Sequence, residues 1–237
     1  MSGEDGHPGE IDAVGALLEP NRRALYDVVV ASGEWMSRDA AAAATGLERG
    51  TAAHHLDRLA ADGLLDVEYQ RPAGRSGPGA GRPSKLYRRA GREIAVSLPP
   101  RDYQLAGEVL ARGVERAMSG AVGIDEAIAA EAEREGADIG ADIRTRLDEA
   151  ARKAGPARRR AVIDALSDQG FEPIDDGDTV VLRNCPFHRL AQEHTELVCG
   201  MNLCVLRAVL DDVGGTGLRA ELEPEDGFCC VRLHTAD

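Results

Sequence analysis

The residues best suited to chemistry in this sequence are five cysteines near its C-terminal end: Cys185, Cys199, Cys204, Cys229 and Cys230. Thirteen residues separate Cys185 from Cys199, and 29 separate Cys199 from Cys229. No pair has the C-x-x-C spacing that zinc ribbons and ferredoxins use. Ligands to a shared metal or cluster would therefore come from different secondary-structure elements, brought together by the fold.

Three of these thiols are predicted to lie where an element begins or ends. Cys185 falls at a strand–helix junction, Cys199 at a break between two helices, and Cys229 at the start of the last strand. Side chains at such positions can converge without interrupting a hydrophobic face, and a helix N-terminus favours the thiolate. Because successive residues of a regular strand face opposite sides, only one of Cys229 and Cys230 can enter a given site. We expect Cys229, with Cys230 as the reserve.

One histidine could join the thiols. His188 follows Cys185 by three residues, and Cys185, His188, Cys199 and Cys229 together would be a Cys₃His zinc set. A second alternative is that the thiols bind no metal and either pack or sense oxidants, and Cys204, on an apolar helix stripe, is expected in the core. Cys185 and His188 also resemble a nucleophile–base pair, but no third group orients them, so we do not expect an enzyme.

Composition indicates the cellular compartment in which such a site would function. The chain has 237 residues and a formal net charge of −13, which argues against nucleic-acid binding by the whole molecule, although local patches matter more. Residues 1–15 are acidic and glycine-rich and are predicted to be disordered. No secretory signal and no apolar run of about 20 residues is present, so we expect a cytoplasmic protein without a membrane span. Thiols stay reduced there, which favours metal-binding or redox roles over disulfides.

Residues 16–98 have the pattern of a winged helix-turn-helix. A helix starts near Glu19, and Ser37 caps a short alanine-rich helix that ends at Gly46. A third helix follows the short turn "TGL" and stops at Gly63. The segments "LLDVEYQ" and "KLYRR" alternate as two strands around a loop rich in glycine and proline. Three helices followed by a hairpin predict a domain that binds double-stranded DNA.

The basic side chains of this unit are concentrated where DNA would lie. The third helix is expected to expose groups that can donate to phosphates or base edges: Arg49, Thr51, His54 and Arg58. The wing contains seven basic residues and no acid: Arg71, Arg75, Arg82, Lys85, Arg88, Arg89 and Arg92. This island favours phosphate neutralisation or insertion of an arginine into a minor groove. Of the adjacent His54 and His55, one is expected to face the core or the preceding helix and the other to face outward.

The rest of the chain is predicted to form two further segments. Residues 99–155 are expected to be a helical dimerisation linker, amphipathic over 102–118 and broken at several glycines further on. The 102–118 helix could equally be a core helix of its own domain. Residues 156–237 follow the order helix, strand, helix, strand, strand, which predicts a small α+β sensor domain that carries the cysteines. The fold class is therefore α+β.

The N-terminal pattern resembles the ArsR-like and MarR-like bacterial regulators over about residues 18–95. The stretch "TAAHHLDRLAADGLL" is similar to their recognition helix, and "GRPSKLYRR" is similar to the wing of one branch. The order "NCPFH…LVCGMN…GFCCVRL" after such a wing further resembles the SufR-type regulators of iron–sulfur cluster biogenesis. This resemblance implies a homodimer that binds an inverted-repeat operator, and an iron–sulfur cluster, [4Fe–4S], on the matching Cys185, Cys199 and Cys229.

The chain departs from that family at one position. Some SufR-type members carry a further cysteine between the last two ligands, and the corresponding stretch "TGLRAELEPEDG" has none. The fourth ligand is therefore open: the fourth iron could take His188, Glu221, a small thiol or no protein ligand. Zn²⁺ stays an alternative cofactor. We predict a DNA-binding repressor that senses iron–sulfur or redox status. The alternative is a winged-helix regulator with a zinc site or a domain that senses a small organic ligand.

Overall fold

The computed structural model describes residues 7–70, 83–120, 122–147 and 154–236. The chain divides into two compact units, one that ends at Val96 and one that begins at Ser97. Each unit buries its own hydrophobic cluster. Within the described residues, no helix combines the length and the apolar character needed to cross a membrane.

The described part of the N-terminal unit contains four helices and a three-stranded antiparallel sheet of order β1-β3-β2. Its elements are α1 His7–Ala16, α2 Pro20–Ser32, β1 Met36–Ser37, α3 Arg38–Thr45, α4 Arg49–Ala61, β2 Leu65–Gln70 and β3 Ser84–Arg89. In the hairpin, Leu65 pairs with Arg89 and Gln70 with Ser84. The predicted wing strands are thus confirmed.

Local signals set the ends of the first helices. The Glu19 carboxylate accepts hydrogen bonds from the backbone N–H groups of Asn21 and Arg22, so it caps α2. The Ser37 hydroxyl accepts from the backbone N–H of Ala40 and caps α3. Gly46 ends α3 at φ 70°, a conformation that glycine adopts without steric cost. The predicted boundaries at Glu19, Ser37 and Gly46 are confirmed.

Helix α1 differs from the predicted disorder of residues 1–15. Ala13 and Ala16 are buried in the same cluster as Leu25 and Val29 of α2. Two alanines three residues apart present a small apolar face, and its burial helps to offset the entropy lost when the segment is ordered. Composition alone did not indicate this packing.

The described part of the C-terminal unit contains five helices and a four-stranded antiparallel sheet of order β4-β5-β7-β6. Its elements are α5 Tyr103–Met118, α6 Ile124–Arg146, α7 Gly155–Asp168, β4 Pro173–Asp175, β5 Thr179–Leu182, α8 His188–Glu193, α9 Thr195–Val213, β6 Leu218–Leu222 and β7 Val231–Thr235. Phe171, Phe187, Leu182, Leu206 and Leu233 are almost completely buried between the helices and the sheet.

Helix α6 corrects the prediction that glycines interrupt this region. Gly136 and Gly140 lie inside one continuous helix and are both buried. A Cβ atom on Gly136 would press into the backbone oxygen of Val205, and one on Gly140 would lie 2.7 Å from the Cβ of Asp212. The glycines therefore allow α9 to approach α6 closely, and this packing offsets their low helix propensity.

Segments predicted as a linker and as a sensor domain share one core. Val109 of α5 and Ile128 of α6 belong to the same buried cluster as Leu206 of α9 and Leu233 of β7. The α+β class is confirmed, with a helix-turn-helix and wing hairpin followed by a helical middle and a small antiparallel sheet.

Candidate functional site

The recognition helix α4 has one buried and one polar face. Ala52, Leu56 and Leu59 are fully buried. The residues predicted to meet DNA lie on the other side: Arg49, His54 and Arg58 are exposed and Thr51 is partly exposed. The helix therefore offers hydrogen-bond donors toward a groove while its apolar side anchors it.

Two of these arginines have acidic neighbours. Arg49 Nε lies 2.5 Å from the Asp39 carboxylate, and Arg58 Nε lies 2.9 Å from the Asp62 carboxylate. The Arg49–Asp39 pair is exposed on both sides, and such pairs contribute only about 0–1 kcal/mol, so a phosphate can replace Asp39 as the partner of Arg49 at little cost.

The adjacent histidines have different surroundings. His54 is exposed, whereas His55 is 15% exposed and its Nε2 lies 3.6 Å from the Glu19 carboxylate at the start of α2. The predicted division, with one histidine toward the preceding elements and one outward, is confirmed. His54 is the one available to a base edge.

Lys85 of the wing is tied to the recognition helix. The Lys85 ammonium and the Tyr87 hydroxyl donate to the same Asp57 carboxylate oxygen, at 2.5 and 2.6 Å. Burial opposes ionisation of Asp57, but these two hydrogen bonds outweigh it and lower the pKa of Asp57. Burial, and then the hydrogen bond to Asp57, raise the pKa of Tyr87. Lys85 thus holds the wing strand against α4, a positioning role in addition to the phosphate contact predicted for it.

Some of the remaining wing residues lie in the described part of the chain, and others lie outside it. Arg71, Arg75 and Arg82, predicted to contact phosphates, lie outside the described residues. Arg88 is described, and its guanidinium lies over the Trp35 ring with 4.5 Å to the centroid.

The predicted metal ligands come from three segments of the C-terminal unit. Cys185 follows β5 in the turn before α8, and Cys199 lies in the second turn of α9. Cys229 and Cys230 precede β7 and follow the 224–228 turn. Cys185, Cys199 and Cys229 are buried. The fold therefore brings these distant cysteines to one end of the sheet.

A pocket of about 320 Å³ lies where the segments meet. Cys185, Cys199 and Cys230 line it, together with His188 at the start of α8 and the 224–228 turn. His188 is exposed, so it stands at the rim of the pocket. His188 thus lines the same pocket as three of the cysteines, and its role as a ligand stays a prediction.

The sulfurs are arranged in two pairs. Cys185 and Cys229 share a thiol–thiol hydrogen bond, and Cys199 and Cys230 form a disulfide. The hydrogen bond with Cys229 lowers the pKa of Cys185, against the opposing effect of burial. The hydrogen bond with Cys185, and then burial, raise the pKa of Cys229. Cys185 is therefore the sulfur of this pair that favours the thiolate.

Both adjacent cysteines contact another cysteine, but of the two Cys230 lines the pocket and Cys229 does not, although the strand rule favoured Cys229. Residues 229 and 230 lie outside the regular strand, which begins at Val231, so strand alternation does not apply to them. The Cys229 N–H donates to the Leu182 carbonyl, and the Glu223 N–H donates to the Cys230 carbonyl. These bonds fix the backbone so that both sulfurs reach other cysteines.

Polar side chains support the cysteine segments. The Asn202 side-chain amide donates to Cys229 Sγ at 3.3 Å, and Asn202 is buried. Arg101 donates to the side-chain oxygen of Asn184 and, at 3.3 Å, to the Cys185 carbonyl. The Asn184 amide in turn donates to the carbonyls of Pro100 and Gly170. Sequence reasoning missed these residues, because nothing near them in the chain marks them as partners of a cysteine.

Cys204 lies apart from this group. It is half-buried on α9, does not line the pocket, and burial raises its pKa. His194, just before α9, is exposed.

A surface group in the same unit also brings ligand atoms together. One atom each of Glu221, Glu223 and His234 lies within 4.8 Å of the others. Arg219 pairs with Glu221 and Arg232 with Glu223, so arginines already neutralise these carboxylates.

Comparison with known families supports the N-terminal geometry. Residues 17–68 match the family model described as a helix-turn-helix domain. Curated proteins and solved structures show no significant match to the chain. The matched residues include α2, α3, the turn at Gly46 and α4, and extend into the first wing strand. The chain therefore carries, in its N-terminal unit, a helix-turn-helix domain of the kind by which transcriptional regulators bind DNA.

Proposed function

We propose that the chain is a DNA-binding transcriptional regulator whose C-terminal cysteines sense iron–sulfur or redox status. One observation carries the proposal. In the chain that carries a helix-turn-helix domain, four cysteines from three distant segments are grouped at one end of the C-terminal sheet. Core cysteines are ordinarily surrounded by aliphatic side chains, whereas these contact one another.

The donor set fits a soft metal or an iron–sulfur cluster. Thiolates are the ligands of iron–sulfur clusters and of structural zinc. The hydrogen bond with Cys229 lowers the pKa of Cys185, and the Asn202 amide donates to the Cys229 sulfur, as outer groups at such centres commonly do. We assign [4Fe–4S] as the group held by Cys185, Cys199 and Cys229, with Zn²⁺ as the alternative for the same donors. A bound cluster would supply a group whose gain, loss or oxidation changes the packing around these residues.

Regulation by a cofactor requires that cofactor binding and DNA binding be thermodynamically linked. A cofactor changes DNA affinity only if it binds the two conformations of the protein with different affinity. A coupling of about 1–3 kcal/mol would change operator affinity by about 5–150-fold. We propose a cytoplasmic repressor that binds an inverted repeat as a homodimer, so that the cofactor alters the separation of the two recognition helices.

The proposal is tested with full-length protein purified without oxygen. Its spectrum, iron and acid-labile sulfide are measured, and operator fragments are selected from random double-stranded DNA. We expect a brown protein whose affinity for the selected DNA differs at least about 5-fold between the cofactor-loaded and cofactor-free forms.

Two outcomes would contradict it. A colourless protein with one zinc per chain would replace the cluster by the zinc alternative. Equal DNA affinity of the two forms would remove the sensing role and leave the cysteines a structural one.

A further inference from the structure

The positions of the cysteine sulfurs indicate which residue is the fourth metal ligand. Cys230 is bonded to Cys199, which the proposed function already assigns as a ligand. It lines the same pocket as Cys185 and Cys199. A sulfur that reaches bonding distance of one ligand lies within reach of any metal which that ligand holds.

The position of His188 supports a role as the fourth ligand less well than the position of Cys230 does. It is exposed, and its side chain makes none of the hydrogen bonds that join the cysteines. Its backbone N–H donates to the Cys185 carbonyl at 3.0 Å, which fixes the start of α8 but does not involve the side chain. The backbone around Cys230, by contrast, is anchored by the hydrogen bond from the Glu223 N–H.

We propose that Cys230 is a metal ligand and completes a four-thiolate site with Cys185, Cys199 and Cys229. This inference rests on the proposed function. Four thiolates form a closed set for a tetrahedral metal or for the four irons of a cluster. Since the sulfurs are held as two pairs, the site forms only in the reduced protein, when Cys199 and Cys230 are free to turn from each other toward the metal.

The test uses Co²⁺ as a spectroscopic probe on the reduced, metal-free, full-length protein under anaerobic conditions. Thiolate ligands give Co²⁺ a near-ultraviolet charge-transfer band whose intensity rises with the number of thiolates, and its visible bands shift when nitrogen or oxygen replaces sulfur. The variants are Cys230→Ser and His188→Ala. Cys204→Ser is the matched control, because Cys204 lies on α9 but outside the pocket.

We expect Cys230→Ser to lose about one quarter of the charge-transfer intensity per bound cobalt, as for one of four ligands. Substitutions outside the coordination shell typically lower metal affinity by about 10–100-fold. We expect the cobalt affinity of Cys230→Ser to fall by more than this. His188→Ala and Cys204→Ser should keep the wild-type spectrum. A wild-type spectrum in Cys230→Ser, with a shifted spectrum in His188→Ala, would assign the fourth position to His188 and overturn the inference.

A second measurement needs no substitution and so does not depend on the folding of a variant. Reduced wild-type protein is alkylated with and without Zn²⁺, and each cysteine is quantified by tandem mass spectrometry. We expect Zn²⁺ to protect Cys230 together with Cys185, Cys199 and Cys229, but not Cys204. Protection of the other three without Cys230 would contradict the inference alone. No thiolate band with Co²⁺ and no protection by Zn²⁺ would contradict the proposed metal site itself.

Discussion

Arg101 and Asn184 are hydrogen-bonded to each other, and both also bond to backbone next to the cysteine site. The Arg101 guanidinium donates to the Asn184 side-chain oxygen and to the Cys185 carbonyl. The Asp102 N–H donates to the Pro186 carbonyl at 3.2 Å. The segment that follows the helix-turn-helix unit in the chain is thus bonded to the loop that carries Cys185. If the cysteines act as a sensor, as we propose, these hydrogen bonds connect the Cys185 loop to this segment.

Replacing Asn184 with alanine should weaken this connection. The substitution removes hydrogen bonds to Arg101, Pro100 and Gly170 and should cost about 1–3 kcal/mol of unfolding free energy, measured with urea. We also expect a smaller difference in DNA affinity between cofactor-loaded and cofactor-free protein. Arg183→Ala, at an exposed neighbour in the chain, is the control. If the affinity difference survives in Asn184→Ala, the loop does not carry the signal.

Mild oxidation should prevent metal binding at the proposed site. When a low-molecular-weight disulfide such as oxidised glutathione reacts with the reduced, metal-free protein, one thiolate attacks it and releases one thiol. The second cysteine then attacks the mixed disulfide and releases the other thiol. We expect peptide mapping to find the Cys199–Cys230 bond, with Cys185 and Cys229 still as thiols, and the oxidised protein to show no thiolate–cobalt band.

Cys204→Ser should oxidise as the wild type does, whereas Cys230→Ser should not form this bond. A disulfide between Cys185 and Cys229 as the main product would be inconsistent with the pairing in the structure.

Protonation of Asp57 should make the N-terminal unit less stable in acid. Its pKa is lowered in the folded protein, so its contribution is complete above the unfolded pKa of about 3.9 and is lost as pH falls through the folded value. Because the Asp57 side chain is 54% exposed, we expect Asp57→Asn to cost only about 1 kcal/mol at neutral pH.

Urea unfolding at pH 7 and at about pH 3 measures the effect. The difference between wild type and Asp57→Asn should shrink at the lower pH. Asp66→Asn, at an exposed position on β2, is the control. A difference that stays constant with pH would mean that Asp57 stabilises the wing other than through its charge.

Substitutions of the residues predicted to contact DNA should separate affinity from sequence preference. Replacing Arg71, Arg75 and Arg82 with alanine should weaken binding to all sequences. The slope of log affinity against log salt should fall by about 0.9 for each phosphate that the variant no longer neutralises. Replacing the exposed His54 with alanine should change base preference by about 1–3 kcal/mol at one position. Unchanged operator affinity in both variants would reject this surface.

Gly136 should not tolerate a side chain. Gly136→Ala would place a Cβ against the Val205 carbonyl and 2.8 Å from the Ala208 Cβ, so we expect a loss of about 1–3 kcal/mol in unfolding free energy. Gly107→Ala is the matched control, since Gly107 is exposed on α5 with nothing within 4 Å of the added Cβ. That variant should gain up to about 1 kcal/mol. Equal effects of both substitutions would show that α6 and α9 can separate freely.

Sequence by itself determined the features that depend on neighbouring residues. The caps at Glu19 and Ser37, the glycine stop at Gly46 and the alternation of the wing strands are local, because a helix end or a strand is set within a few residues. The helix-turn-helix follows from them. The separate surroundings of His54 and His55 also followed from helical spacing.

Tertiary structure decided what depends on residues far apart in the chain. The burial of Ala13 in α1 and the continuity of α6 through Gly136 depend on packing against other helices. The backbone bond from Cys229 to Leu182 and the disulfide between Cys199 and Cys230 join distant segments. Cys230 was only the reserve ligand on the rule for regular strands, but its conformation is irregular, and only the folded chain shows that its sulfur reaches Cys199.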